Sequence, residues 1–157
     1  MRSSGILMHI TSLPGAYGVG TMGSSAFRFV DFLRASGQGH WQILPLTPTG
    51  YGDSPYQSCS TYAGNHYLID LPMLVQEGLL EEAEFASLDW GEKAERADFG
   101  KLYNHRLSVL RKAYSRFAGG DEYSIYHAGR RAEVFRWYAI RTVSRQNNNV
   151  ILRYNEY

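Results

Sequence analysis

Six residues, Gly18-Val19-Gly20-Thr21-Met22-Gly23, carry the spacing G-x-G-x-x-G. Such a loop can cradle the pyrophosphate of a dinucleotide. It does so when the first glycine closes a strand and the last opens a helix, so that free amide N–H groups meet the anion. Here the seven residues TSLPGAY, 11–17, separate the preceding apolar run from Gly18. A dinucleotide site also wants Asp or Glu about 20 residues further on, at the end of the second strand. The second apolar run ends in Leu46-Thr47-Pro48, without an acid. The spacing therefore predicts a loop folded tightly over the top of a strand, where only glycine fits, and it predicts no organic cofactor.

Other reactive residues form weaker patterns. His9, His40, His66, His105 and His127 make no i, i+4 pair, and H-E-x-x-H is absent, so no metal site is predicted. Cys59 lies between Ser58 and Ser60 with no neighbouring base to generate a thiolate, and reads as an inert small side chain. Trp137 and Tyr138 interleave with arginines, a composition suited to stacking on bases. Those arginines gather on no single face. The 12 tyrosines suit a sugar ligand, because the ring covers a pyranose face while the hydroxyl hydrogen-bonds.

The bulk composition narrows the class. The 157 residues are 44% hydrophobic and 20% charged, enough apolar material for a core. A net charge of +1 selects neither nucleic acid nor an anionic membrane as partner. One cysteine forbids an internal disulfide and fits a reducing, cytoplasmic compartment. Ile6-Leu7-Met8 is too short for the core of a signal peptide, and no run approaches the roughly 18 apolar residues of a membrane span.

These residues need elements to position them. Residues 5–10, GILMHI, form a short apolar run of the kind found in buried parallel strands. Ser24 and Ser25 offer N-caps for a helix running to about Ser36, with Gly37 as its stop. Its apolar side chains, Ala26, Phe27, Phe29, Val30, Phe32 and Leu33, spread over roughly 220° of the wheel, which predicts a mostly buried helix. Residues 41–46, WQILPL, form the second strand, ended by a proline. Strand, helix and strand make a βαβ unit. Residues 47–65 are rich in Gly, Pro, Ser, Thr and Tyr and read as a long functional loop. Helical material follows over 71–87, broken at Gly78. The clearest helix spans 99–117. Its apolar residues, Tyr103 and Leu107 among them, fall within an arc of roughly 160°. Arg106 intrudes on that face, and its long stem suggests a charge carried outward.

After about Ile125 the character changes. The last 32 residues hold six Arg, no Lys and two Glu, whereas the first 125 hold ten basic and thirteen acidic residues. The apolar residues of the tail match neither helical nor strand periodicity, and Asn147-Asn148-Asn149 reads as a break. The tail is expected to be irregular.

The stretches LPLTPTGYGDSPYQS, 44–58, and AGNHYLIDL, 63–71, are long and particular. With GILMHITSLPGAYGVGTMG before them, they resemble the start of the 4-alpha-glucanotransferase family, the amylomaltases or disproportionating enzymes. The resemblance covers roughly residues 3–125. Three positions depart from the family pattern: Thr21 stands where an acid is expected, His66 where proline is expected, and Cys59 where an aromatic is expected.

The resemblance implies an α/β chain that is the N-terminal fragment of a (β/α)8 TIM barrel carrying a helical insertion. Residues 1–125 would be the barrel part and 126–157 an unrelated or disordered tail, as a frameshift or truncation would leave. In such a barrel the active site lies at the C-terminal ends of the strands, and the 47–65 loop would open onto that face. Tyr51, Ser54 and Tyr56 match positions that contact bound glucan in the family; Asp53, Gln57 and Asn65 neighbour them in the same motif. The chemistry suits a sugar: tyrosine rings for pyranose faces, Asp53 and Ser54 for hydroxyls. Gly52-Asp53-Ser54-Pro55 also reads as a plain turn closed by an Asx bond.

The family's reaction is retaining transglycosylation without metal or cofactor. One carboxylate attacks the anomeric carbon, a second carboxylic acid protonates the leaving oxygen, and a sugar hydroxyl intercepts the glycosyl-enzyme. Asp70, Asp89, Asp98 and Asp121 do not match those carboxylates, so no catalytic residue is assigned here. A barrel needs roughly 200 residues or more, so the isolated chain is expected to be inactive. The expected partner is a maltooligosaccharide or starch-type glucan, with neither nucleic acid nor membrane. A noncatalytic glucan-binding module is the alternative. An interaction module with a basic tail is a third reading.

Overall fold

A computed structural model describes residues 3–58, 60 and 63–117 in full, and the backbone of two strands between 140 and 154. The expected βαβ unit is present. Strand β1 (Gly5–Leu7) pairs in parallel with β2 (His40–Ile43), and helix α1 (Ser24–Ala35) connects them. Both strands are shorter than the apolar runs suggest, and Ile10–Ser12 forms a 3-10 turn instead of extending β1. β1 is an edge strand rather than a buried one, which leaves Leu7 60% exposed.

Helix α1 ends as expected, with Gly37 in the left-handed region at φ 68°. Its start and its burial differ from the expectation. Gly23, not a serine, is the N-cap, and it makes no side-chain capping bond. Only Ala26 and Leu33 are fully buried; Phe27 and Phe32 face outward because β2 covers only one side of the helix.

Beyond the tyrosine-rich loop, a 3-10 turn (His66–Leu68) leads into α2 (Leu71–Gln76), then a second 3-10 turn (Glu82–Glu84) and α3 (Phe99–Arg116). Gly78, at φ 72°, supplies the predicted break. α3 matches its sequence bounds to within a residue. Its inner face is Leu102, Arg106, Val109, Leu110 and Ala113, while Tyr103 is 81% exposed. Arg106, expected to reach solvent, is instead 0% exposed.

The tail corrects a second expectation. Part of it is regular: β3 (Ile140–Gln146) and β4 (Asn149–Tyr154) form an antiparallel pair, and β4 lies antiparallel on the free edge of β2. The sheet order is β1-β2-β4-β3. Two reasons account for the miss. β4 holds the three-residue apolar run Val150-Ile151-Leu152, which shows no alternation, and an open edge on β2 offers backbone partners to any extended segment. The asparagines separate two strands rather than ending all structure, and Asn149 belongs to β4. Cys59, Asp121, Trp137 and Tyr138 lie outside the described residues.

Two hydrophobic clusters form the core. Ile10, Leu13, Met22, Ala26, Leu33, Trp41, Ile43 and Leu68 pack the βαβ unit. A second cluster joins Tyr67, Leu71, Leu74, Phe85, Trp90, Leu102 and Val109 around α2 and α3. The neighbours Tyr67 and Leu68 thus enter different clusters, and the His66–Leu68 turn is pinned between them.

Candidate functional site

The glycine loop is a packing device. A Cβ on Gly20 would collide with the Ile10 and Leu13 carbonyl oxygens, and Gly18, at φ 81°, lies against Trp90 and Leu102. Gly23 opens α1, where a phosphate would sit in a dinucleotide site. A Cβ there would overlap the Asp70 carboxylate. That carboxylate already takes the anion's place beside the helix N-terminus, where the dipole favours negative charge. It also accepts the Thr21 hydroxyl at 2.5 Å and caps α2 through the Met73 N–H at 3.0 Å. Thr21, the departure from the family's acid, thus serves as a neutral donor to Asp70.

The loop after β2 is closed by its own backbone. The Gly50 N–H donates to the Gln57 carbonyl at 3.1 Å. Inside that closure the Asp53 N–H donates to the Gly50 carbonyl and the Gln57 N–H to the Ser54 carbonyl, each at 3.1 Å. The first of these turns needs positive φ at Gly52 (95°) and Asp53 (55°), a conformation that aspartate tolerates better than most residues. Tyr51 stands at the tip with 104% exposure and Tyr56 follows at 59%. Gln57 is exposed, and Ser54 is half-buried with its Oγ accepting the Tyr56 N–H at 3.4 Å.

Asp53 does not make the Asx bond of a plain turn. Its carboxylate takes no hydrogen bond from a described residue. Partial burial pushes its carboxyl above the ordinary value. Burial raises the Tyr67 hydroxyl, and the charges of Asp53 and Tyr103 raise it further. Tyr103, a ring on α3 that periodicity assigned to the core, is instead exposed.

Asn65 is placed differently from the other five candidates. It is buried, accepts the Tyr67 N–H at 2.9 Å and donates its own N–H to the Leu46 carbonyl at 2.8 Å. It roots the loop rather than lining its tip. Behind it, the Arg106 guanidinium donates to the carbonyls of Tyr67, at 3.3 Å, and Ile69. Burial lowers that guanidinium to about 10, against the opposing pull of Asp70 and Tyr67. His66, beside it, is lowered by burial and by the Arg106 charge. The arrangement offers aromatic faces and, in Asp53, a carboxylate that takes no hydrogen bond from a described residue. Among the described residues no cluster of His, Cys, Asp or Glu is fit to hold a metal.

The fold and this loop define an α/β chain whose parallel βαβ unit presents aromatic rings beyond its second strand. The 4-alpha-glucanotransferase family model matches residues 8–148. A 4-alpha-glucanotransferase of Streptococcus pneumoniae is 55% identical over 116 residues, which are 74% of this chain and 23% of the relative. One from Thermus thermophilus is 44% identical over 137 residues, 85% of this chain and 26% of that protein. The structure of a Streptococcus agalactiae amylomaltase in complex with acarbose superposes with a TM-score of 0.73 at 48% identity, covering 77% of this chain and 24% of that one. The chain belongs to the 4-alpha-glucanotransferase family. It spans about a quarter of the length of the relatives it matches.

Proposed function

We propose that this chain supplies one wall of the glucan cleft of a 4-alpha-glucanotransferase. In this reading β1, α1 and β2 are the first units of a (β/α)8 barrel, and α2 with α3 is the helical insertion. The observation that carries it is the exposure of Tyr51 and Tyr56 on a self-closed loop that also holds Asp53, whose carboxylate takes no hydrogen bond from a described residue. Exposed rings on the same loop as a carboxylate suit a chain of sugars, with faces stacked and hydroxyls bonded. We assign glucan contact to Tyr51, Asp53, Ser54, Tyr56 and Gln57, with Asn65 as the buried root. The acarbose complex of the related amylomaltase supports an α-glucan-like ligand.

The reaction is a retaining transfer of α-1,4-glucan segments, and its carboxylate pair belongs to parts of the relatives that this chain does not match. Residues 1–125 are the barrel part and 126–157 a separate tail. Among the described residues no helix is long and apolar enough to cross a membrane, and we take the cytoplasm as the compartment. The test is direct: purified chain binds maltoheptaose yet releases no glucose from maltotriose. Glucose release would place the carboxylates within these 157 residues.

The β3–β4 hairpin on the edge of β2 favours a second reading, a self-standing, noncatalytic glucan-binding module. That reading predicts that a chain ending at residue 125 loses its cooperative melt. The barrel reading predicts that the melt survives.

A further inference from the structure

The local irregularities of the described chain gather around the tyrosine loop and its root. Among the described residues the buried side-chain atoms without partners are Thr49 Oγ1, Arg106 Nε and Arg106 Nη1. Among the described residues Asp53 is the non-glycine position with positive φ. Thr49 and Asp53 lie in the loop, and Arg106 holds the segment into which the loop runs. Departures from local rules that gather in one place mark function more often than stability.

Arg106 is the most costly of them. Guanidinium groups are used where their planar fork matches an acceptor. Here both hydrogen bonds leave from the single nitrogen Nη2, to Tyr67 O and Ile69 O, while Nε and Nη1 face no acceptor. Leu102, Val109 and Leu110 on the same helix show how apolar this face otherwise is. A methionine of similar length would fill the space without the cost of burying a charge, but it would leave the Tyr67 and Ile69 carbonyls without this donor. The reason for an arginine lies in those two acceptors: they flank Leu68, the residue that crosses into the βαβ core, and lie in and just after the turn that Asn65 caps.

We propose that Arg106 is a positioning residue for the glucan wall: it locks the backbone at Tyr67 and Ile69 and so fixes where the loop presents Tyr51 and Tyr56. The functional consequence rests on the glucan reading; the locking does not. Because one nitrogen makes both bonds, the fork is dispensable. Arg106→Lys should keep the lock, and Arg106→Met should release it.

The experiment compares the full chain with these two variants by amide hydrogen exchange, thermal melting and maltoheptaose titration. In Arg106→Met, exchange of the Tyr67 and Leu68 amides should rise about tenfold while α1 is unchanged and Tm stays within about 4 °C. Maltoheptaose affinity should fall about fivefold or more. Arg106→Lys should match the parent in all three. Uniform exchange across α1 and α3 in Arg106→Met would make the residue merely structural and overturn the proposal. So would unchanged exchange at 67 and 68, or a lysine variant that behaves like the methionine one. If the parent chain binds no maltoheptaose, the glucan reading fails, and the exchange data still decide whether Arg106 locks the turn.

Discussion

The tip and the root of the tyrosine loop are built on opposite terms. At the tip Tyr51 stands clear of the protein, and the chain is held by short-range backbone bonds between Gly50, Asp53, Ser54 and Gln57. At the root Asn65, Tyr67, Leu68 and Asp70 are committed to other parts of the chain. Asn65 caps the next turn, Tyr67 and Leu68 enter two different cores, and Asp70 joins the Thr21 hydroxyl to the start of α2. Rings that are to meet a ligand cannot also be packed, so their placement has to come from a rigid base. If that division holds, substitutions should cost less stability and more glucan affinity from root to tip.

The largest stability effect belongs to the root. Leu68→Ala removes a side chain only 6% exposed and should cost about 2–5 kcal/mol in denaturant unfolding. An unchanged midpoint would mean that the turn does not tie into the βαβ core. Gly23→Ala forces a methyl onto the Asp70 carboxylate and should cost about 1–3 kcal/mol. Its neutrality would contradict the packing account of the glycine loop. Asn65→Ala loses the cap on Tyr67 and should cost about 1 kcal/mol.

Asp53 belongs to the tip but is partly buried. Its raised carboxyl binds its proton more readily in the folded chain than in the unfolded one, so the stability it contributes is present at acid pH and lost as pH rises through its folded value. Asp53→Asn should therefore melt no lower than the parent at neutral pH, with the small difference closing on acidification, yet bind glucan more weakly. A variant that melts lower and binds normally would make Asp53 a turn residue.

Much of this was legible in the sequence where a local rule met no rival. Gly37 and Gly78 stop their helices because their positions need φ that side chains resist. The apolar spacing from Phe99 onward fixes α3 nearly to the residue. The failures share a cause, which is that periodicity says which residues are apolar and not what lies opposite them. Phe27 and Phe32 read as buried, but both stay exposed, because β2 covers the other side of α1. Tyr103 falls within the apolar arc of α3, yet the structure leaves it exposed. Arg106 was visible as a charge on an apolar face, and the carbonyls that hold it inside come from residues far away in the chain. The hairpin of β3 and β4 depended on an edge that only the assembled sheet supplies. At the site, the exposed loop and its tyrosines were evident from composition and motif. Asn65 as a buried cap was not, because its partner is chosen by how the loop closes.

The central claim is that the exposed rings of the tip bind glucan on a base that does not depend on them. Titrating maltoheptaose into the parent chain and into the Tyr51→Ala, Tyr56→Ala double variant tests it most directly, with melting curves taken on the same samples. The account predicts saturable binding by the parent, loss of that binding in the variant, and superimposable melts, since exposed substitutions usually change stability by no more than about 0.5 kcal/mol. Equal binding by the two chains, or a variant that no longer melts cooperatively, would contradict it.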